Sequence, residues 1–382
     1  MDKLVYLDNA ATTYPKPPAV SDAWRDAALA AGGNPGRSGH ALSMRAAEVV
    51  YHARSAVASL FGSTSPECVV FTYNATYALN IAIHALIRPG DHVVISNLEH
   101  NAVYRPIHTL AAEGVITYDT FDAWGKEADV LRRLAEKLRP NTRLVVTLHR
   151  SNVCNITLPV ARIGQMLAAR GIFYVVDASQ SAGVCPLNVE ENGVTALCAP
   201  GHKGLYGPTG TGFILFSHDA AAQMVERPPL LSGGNGILSR EPFMPALLPE
   251  RFEAGTLAAP ALAALTAGIQ AVSRIGISAL AKKERILCHY AISQLGRIRD
   301  IRIVAPEERD GNVILFRHRE RTPEQVAEAL DQAGICVRSG LHCAPLAHAR
   351  LGTLEGGAVR VSFGMFNTQR DVDTLCDVLE TI

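Results

Sequence analysis

The stretch Cys198-Ala199-Pro200-Gly201-His202-Lys203-Gly204 places a lysine among small residues, at the end of a short apolar run that reads as a strand. An amine held there can be aimed inward, where it can form a Schiff base with a carbonyl compound. Pyridoxal phosphate exploits that chemistry, held by a lysine and tuned by an acid at its pyridine nitrogen. Taken alone, a lysine in a glycine-rich turn is more often a solvated loop residue, so the other parts of such a site must be sought. Asp177 closes an apolar strand upstream and could be that acid, or a helix cap or loop acid. His100 follows a strand, and an imidazole suits proton shuttling near neutral pH. Asn74-Ala75-Thr76 opens a helix straight after a strand, and a helix N-terminus is a ready anion site; a plain cap at Asn74 is compatible with this. Cys343 sits in the small-residue loop Ser339-Gly340-Leu341-His342-Cys343-Ala344-Pro345, close to Arg338. Cations beside a thiol favour the thiolate, the nucleophilic form, and a mobile loop would let its sulfur travel. Arg338 and Arg360 have the planar guanidinium that can grip a carboxylate, although either could be a surface ion pair.

These residues need elements to hold them. Strands are expected at 68–72, 91–96, 115–118, 143–148 and 172–176, with helices at 74–86, 101–113, 127–138 and 160–170 between them. That alternation implies an α/β unit with right-handed crossovers and a mainly parallel sheet. Ligands of such sheets lie at the carboxyl ends of the strands, where Thr72, Ser96, His149, Asp177 and Lys203 fall. Helices are also expected at 21–31 and 43–61. Beyond Thr256 come two long helices, then short strands near 301–304, 312–316, 336–339 and 359–362, a helix opened by Thr322-Pro323-Glu324-Gln325 in capping-box form, and a last helix from about Asn367. The expected organisation is an N-terminal segment at 1–15 packing near the site, a large α/β domain at 16–257, and a smaller α+β domain at 258–382 that carries the Cys343 loop.

Composition narrows the classes of function. With 36 basic and 36 acidic residues, no charge excess points to nucleic acid or an anionic membrane. No apolar run is long enough to span a bilayer, and the N-terminus has no secretory pattern, so a cytoplasmic location is expected. The eight cysteines read as reduced thiols. Cys68, Cys198, Cys336 and Cys376 lie in apolar patterns as small hydrophobes, whereas Cys154 and Cys185 are less clear. His342, Cys343 and His348 do not match the spacing of a common structural zinc site, and no metal is expected.

The ordered motifs Tyr6-Leu7-Asp8-Asn9-Ala10-Ala11-Thr12-Thr13, Ser151-Asn152-Val153, Val176-Asp177-Ala178-Ser179-Gln180, Gly201-His202-Lys203, Arg251-Phe252-Glu253-Ala254-Gly255-Thr256 and Arg338-Ser339-Gly340-Leu341-His342-Cys343-Ala344 resemble the class V aminotransferase family. Within it they resemble the Suf-type (group II) cysteine desulfurases, a subgroup that includes selenocysteine lyases. The resemblance covers essentially the whole chain and implies fold type I of the pyridoxal-phosphate-dependent transferases. It implies Lys203, Cys343 and His100 as catalytic residues, and Ala75, Thr76, His100, Asn152, Asp177, Gln180, His202, Lys203 and Thr256 as holding pyridoxal phosphate, Gln180 at the ring oxygen and Thr256 from the other subunit of a homodimer. Ala11, Asn152, Arg338 and Arg360 are implied at the substrate. The implied reaction converts L-cysteine to L-alanine, leaves the sulfur on Cys343 as a persulfide, and passes it to an acceptor protein, as in iron–sulfur cluster assembly. Selenocysteine or another amino substrate would use the same parts, and a catalytically silent scaffold is the remaining reading. Pro200 departs from the family, which has Ser or Thr there; proline offers neither hydroxyl nor N–H. The proline-rich stretch 232–249 looks irregular where group II relatives form a shielding hairpin.

Overall fold

The computed structural model describes residues 4–36, 38–220, 224, 228–305 and 310–382. In chain order its elements are β1 (Val5–Tyr6), α1 (Pro18–Ala30), α2 (Ala41–Leu60), β2 (Val69–Thr72), α3 (Ala75–Leu86), β3 (His92–Ser96), α4 (Asn101–Ala112), β4 (Thr117–Phe121), α5 (Glu127–Ala135), β5 (Thr142–Leu148), α6 (Val160–Ala168), β6 (Phe173–Asp177), β7 (Ala196–Pro200) and β8 (Gly212–Phe216). These are followed by α7 (Ala259–Ile275), α8 (Ile277–Leu295), β9 (Ile301–Val304), β10 (Val313–His318), α9 (Pro323–Gln332), β11 (Ile335–Cys336), β12 (Arg338–Gly340), α10 (Pro345–Arg350), β13 (Ala358–Ser362) and α11 (Gln369–Leu379).

The large sheet has seven strands in the order β2-β8-β7-β6-β5-β3-β4. Its central strands are almost wholly apolar because helices cover both faces, as a parallel sheet requires. The alternation of strands and helices gives parallel pairing from β4 through β7. β8, which the sequence reading left unplaced, runs antiparallel to both β7 and β2. The connection from Gly201 to Thr211 carries no helix, and a parallel return needs a crossover of a dozen or more residues. Instead Gly201 N donates to Thr211 O at 2.9 Å, and the chain doubles back. α1 begins at Pro18, three residues before the expected start, because proline fits the first helical position.

The C-terminal unit is a four-stranded antiparallel sheet, β12-β13-β10-β9, packed against α8, α9 and α11. The strand expected at 336–339 is divided: β11 pairs in parallel with β1, and β12 pairs with β13. Val5 and Leu7 therefore bury their side chains in the C-terminal core, beside Ile314, Val361 and Leu375. The capping box at Thr322 forms, with Thr322 Oγ1 accepting from Gln325 N at 3.3 Å and Gln325 Oε1 accepting from Thr322 N at 2.9 Å. Residues 232–249 hold neither strand nor helix. Among the described residues, no single helix is long and apolar enough to cross a membrane.

Candidate functional site

A cavity opens at the carboxyl ends of β5, β6 and β7, lined by Asn74, Ala75, Thr76, His100, Asn152, Asp177, Gln180, Pro200, His202 and Lys203 among others. The sheet positions three of these directly. Asp177 is the last residue of β6 and is buried, with its Oδ1 accepting from Ser179 N at 2.9 Å. Pro200 ends β7 opposite Gly212, and the chain then turns sharply into His202 and Lys203. The turn needs glycine: a Cβ on Gly204 would lie 2.4 Å from Ala182 O, and one on Gly201 would lie 2.2 Å from Thr211 Oγ1. Burial pushes the Lys203 amine down to about 8, with Arg360 and Arg338 adding to the shift and Asp177 opposing it.

α4 starts at the end of β3, with His100 as its cap: Nδ1 accepts from Ala102 N at 3.0 Å. That bond leaves the ring proton on Nε2, and burial holds the imidazole uncharged, at about 4. α3 starts at the end of β2. Asn74 caps it by accepting from Tyr77 N at 3.1 Å, and Ala75 and Thr76 form its first turn, where opening N–H groups lack intrahelical partners. His202 faces the same cavity and is likewise pushed to about 4 by burial.

The C-terminal unit closes the other side. Arg360, on β13, is 1% exposed; its Nη2 donates to Asp8 Oδ1 at 2.7 Å and its Nη1 to Asn152 O at 3.3 Å. Asn152 Nδ2 donates to His342 O at 2.8 Å. Cys343 O accepts from Asn101 N at 2.7 Å, and Arg338 Nη2 lies 3.8 Å from Cys343 Sγ. The backbone of the Cys343 loop, which was expected to be mobile, bonds to Asn101 and Asn152. Cys343 also lines an open cleft with His100, Asn101 and Arg105. Cys68, Cys154, Cys185, Cys198, Cys288 and Cys376 are buried, while Cys336, expected inside, is half-buried on the short β11.

Two of the sequence candidates lie apart. Ala11 is in the turn after β1, its N bonded to Asp8 O at 3.1 Å, and Ala10 beside it carries the carbonyl that accepts from Gln180 Nε2 at 2.9 Å. Thr256 lies outside the Lys203 cavity, its hydroxyl accepting from Asn34 Nδ2 at 3.1 Å. Several contributors escaped the sequence reading. Asp8 pairs with Arg360. Lys16 Nζ donates to His202 O at 2.8 Å, holding the backbone beside Lys203. Glu99 is fully buried behind His100. Each sits beside a residue that was chosen, but only long-range contact reveals its part.

The residues fit a flat, phosphorylated aldehyde. A buried amine, a carboxylate at a strand end and a helix N-terminus converge on one cavity. His202 Nδ1 and Asn152 Oδ1, on two residues that line it, are buried without a hydrogen-bond partner in the described structure, and buried polar atoms ordinarily have one.

The fold and this site define a class, and similarity gives the same one. The profile of the family described as aminotransferase class-V matches residues 5–375, and the chain belongs to that family. Over 385 residues it is 35% identical to a probable cysteine desulfurase of Methanothermobacter thermautotrophicus, covering 99% of this chain and 94% of that one. Among solved structures, the apo cysteine desulfurase of Thermococcus onnurineus NA1 superposes with a TM-score of 0.89 at 30% identity, covering 99% of this chain and 94% of the other. The cysteine desulfurase CsdA of Escherichia coli, in its S-sulfonic acid form, gives 0.87 at 26% identity, again covering 99% and 94%.

Proposed function

We propose that this chain is a pyridoxal-phosphate-dependent cysteine desulfurase, converting L-cysteine to L-alanine and holding the released sulfur on Cys343. The observation that carries the reading is the contact of Asn152 Nδ2 with His342 O at 2.8 Å, which brings the Cys343 loop against the cavity that holds Lys203 and Asp177. Lys203 would hold the cofactor, Asp177 would face its ring nitrogen, and Ala75, Thr76 and His202 would hold its phosphate. Pro200 offers no donor to that set, and the open first turn of α3 would hold the phosphate without it. When bound, the cofactor supplies an electron sink for charge that develops on the substrate's carbon skeleton.

The chain's own residues do the rest. Arg360 binds the substrate carboxylate, with Asp8 holding the guanidinium in place. The Cys343 thiolate attacks the substrate sulfur; a sulfur–sulfur bond forms, the carbon–sulfur bond breaks, and its electron pair stays with the β-carbon. Protonation of that carbon completes alanine. Lys203, at about 8, can take and give protons near neutral pH, and His100 presents a neutral ring with its proton on Nε2. The active unit is a homodimer in this reading. Thr256 lies outside its own chain's cavity, on a second pocket with Tyr73 and Tyr77, two exposed tyrosines that a partner copy would cover.

The test is alanine and sulfide release from L-cysteine with a reductant, in wild type and Cys343→Ala. Equal amounts of both products are expected, lost in the variant while the visible absorption of the lysine-bound cofactor persists. Absence of that absorption, or turnover of cysteine surviving in Cys343→Ala, would overturn the reading.

A further inference from the structure

His342 lies beside the thiol, and two residues outside the cavity stand behind it. His342 Nε2 is 3.2 Å from Arg338 O. A carbonyl can only accept, so Nε2 carries the proton and Nδ1 presents a lone pair. His348 Nε2 lies 3.2 Å from that Nδ1 and must donate to it. His348 Nδ1 is then the acceptor, and Thr353 Oγ1, 2.8 Å away, must donate. The hydroxyl also lies 3.4 Å from His348 O, a longer contact than the one to Nδ1; burial keeps both rings neutral, so the row runs from the Thr353 hydroxyl through two imidazoles to the Arg338 carbonyl. The rings are near-parallel, with centroids 5.4 Å apart and 17° between planes, and all three side chains are buried. Thr353 is itself tied down, its N donating to His348 O at 2.9 Å.

The row ends on a strained turn. His342 and Cys343 have φ of +51° and +57°, the left-handed region that strains a non-glycine residue. Ala344 N closes the turn on Leu341 O at 2.9 Å. His342 is gripped at both ends: its ring by His348 and the Arg338 carbonyl, and its own carbonyl by Asn152. Arg338 therefore anchors the turn through its backbone while its guanidinium faces Cys343 Sγ. We propose that His348 and Thr353 are positioning residues, which act through His342 to hold the Cys343 thiol in its left-handed turn beside Arg338 and the cavity.

This rests on Cys343 as the reacting thiol, and the test separates the two ideas. The holoenzymes of wild type, Thr353→Val, Thr353→Ser and His348→Gln are compared. Three quantities are read: kcat and KM for alanine formation, the alkylation rate of Cys343 by iodoacetamide, and the cofactor absorption. Thr353→Val keeps the shape and deletes the donor. Its kcat is expected to fall on the order of tenfold to a hundredfold, the scale of a small misplacement of reacting groups, with KM and cofactor absorption unchanged. Alkylation slows as the thiol leaves Arg338. Thr353→Ser restores the hydroxyl and both rates. His348→Gln can still donate to His342 Nδ1 and falls between. Wild-type kcat and alkylation in Thr353→Val and His348→Gln, or Thr353→Ser as impaired as Thr353→Val, would overturn the proposal, as would loss of the cofactor absorption in step with the rates. A wild type that turns over no cysteine defeats the desulfurase reading alone, because alkylation still reports on the turn.

Discussion

The two sides of the cavity are built by different means. On the side of the seven-stranded sheet, Asp177 and the turn to Lys203 leave neighbouring strands, and His100 and Thr76 open helices that follow β3 and β2. Short chain segments and a shared hydrogen-bond ladder set their spacing. On the other side, Arg360 is held by Asp8, which lies 352 residues away in sequence, and the Cys343 turn is held by Asn152, 190 residues from His342. That side exists only when the two ends of the chain meet through β1 and β11. The difference separates two kinds of dependence: the first side can lose a side chain and keep its frame, whereas on the second the side chains are the frame.

The largest effect expected is on the first side. Lys203→Ala removes the amine that would hold the cofactor and move protons, and alanine formation falls by on the order of 10²–10⁴ or more. The thermal midpoint stays near that of the wild-type protein, because the sheet rather than the lysine sets the backbone, and a buried amine pushed down to about 8 contributes no stability in its charged form. A thermal midpoint of Lys203→Ala well below that of the wild type would break the comparison.

On the second side, Asp8→Ala strands a buried guanidinium. Breaking a buried ion pair by removing one partner costs about 3–5 kcal/mol, and the lower end applies because the Asp8 side chain is 19% exposed. The denaturant midpoint drops accordingly, and KM for cysteine rises more than kcat falls, since Arg360 loses its orientation towards the carboxylate. An unchanged midpoint would show that the N-terminal segment does not frame this side. A third substitution, Gly204→Ala, asks how rigid the first side is. Its Cβ would meet Ala182 O at 2.4 Å and Val184 Cγ2 at 2.8 Å, so backbone must move, at about 1–3 kcal/mol. Cofactor absorption should weaken with it, and full retention of both stability and absorption would show a pliable turn.

The same contrast explains what could be read from sequence. The parallel strands announce themselves as apolar runs, and polar residues at or shortly after the carboxyl ends of β3, β6 and β7 stand out, so Asp177, His100 and Lys203 could be chosen before any contact was known. β8 was not legible, because an apolar run of five says nothing of its direction, which the short turn before it decides. The Asp8–Arg360 pair and the Thr353–His348–His342 row were not legible either. They depend on which loops face each other, and no periodicity encodes that. Cys336 was misplaced because β11 is only two residues long and leaves the residue half-buried. Thr256 was named from resemblance, and within one chain it lies on a separate pocket.

The smallest effect concerns a residue that belongs to the first side yet was invisible in the sequence. Glu99 is 0% exposed. Its Oε1 accepts from Leu148 N at 3.0 Å and from Ser96 Oγ, while Oε2 has no partner in the described structure. Burial pushes the carboxyl up from 4.5 to about 8, with Asp177 adding to the shift and the two hydrogen bonds opposing it. Between those values the folded protein keeps a proton that the unfolded chain has released, so Glu99 makes stability fall as pH rises through that window. The slope approaches about 1 kcal/mol per pH unit. Glu99→Gln keeps the shape and does not titrate. Buried His100 and His202, each pushed down to about 4, drive stability the other way between there and 6.5, but they are common to both proteins and cancel in the difference. Denaturant unfolding of the two proteins from pH 5 to 8 should therefore give curves that diverge, with Glu99→Gln gaining relative to wild type as pH rises. Parallel curves would mean that Glu99 is ionised in the folded state, putting a second negative charge behind the cavity wall, where Asp177 is the one acid among the described lining residues.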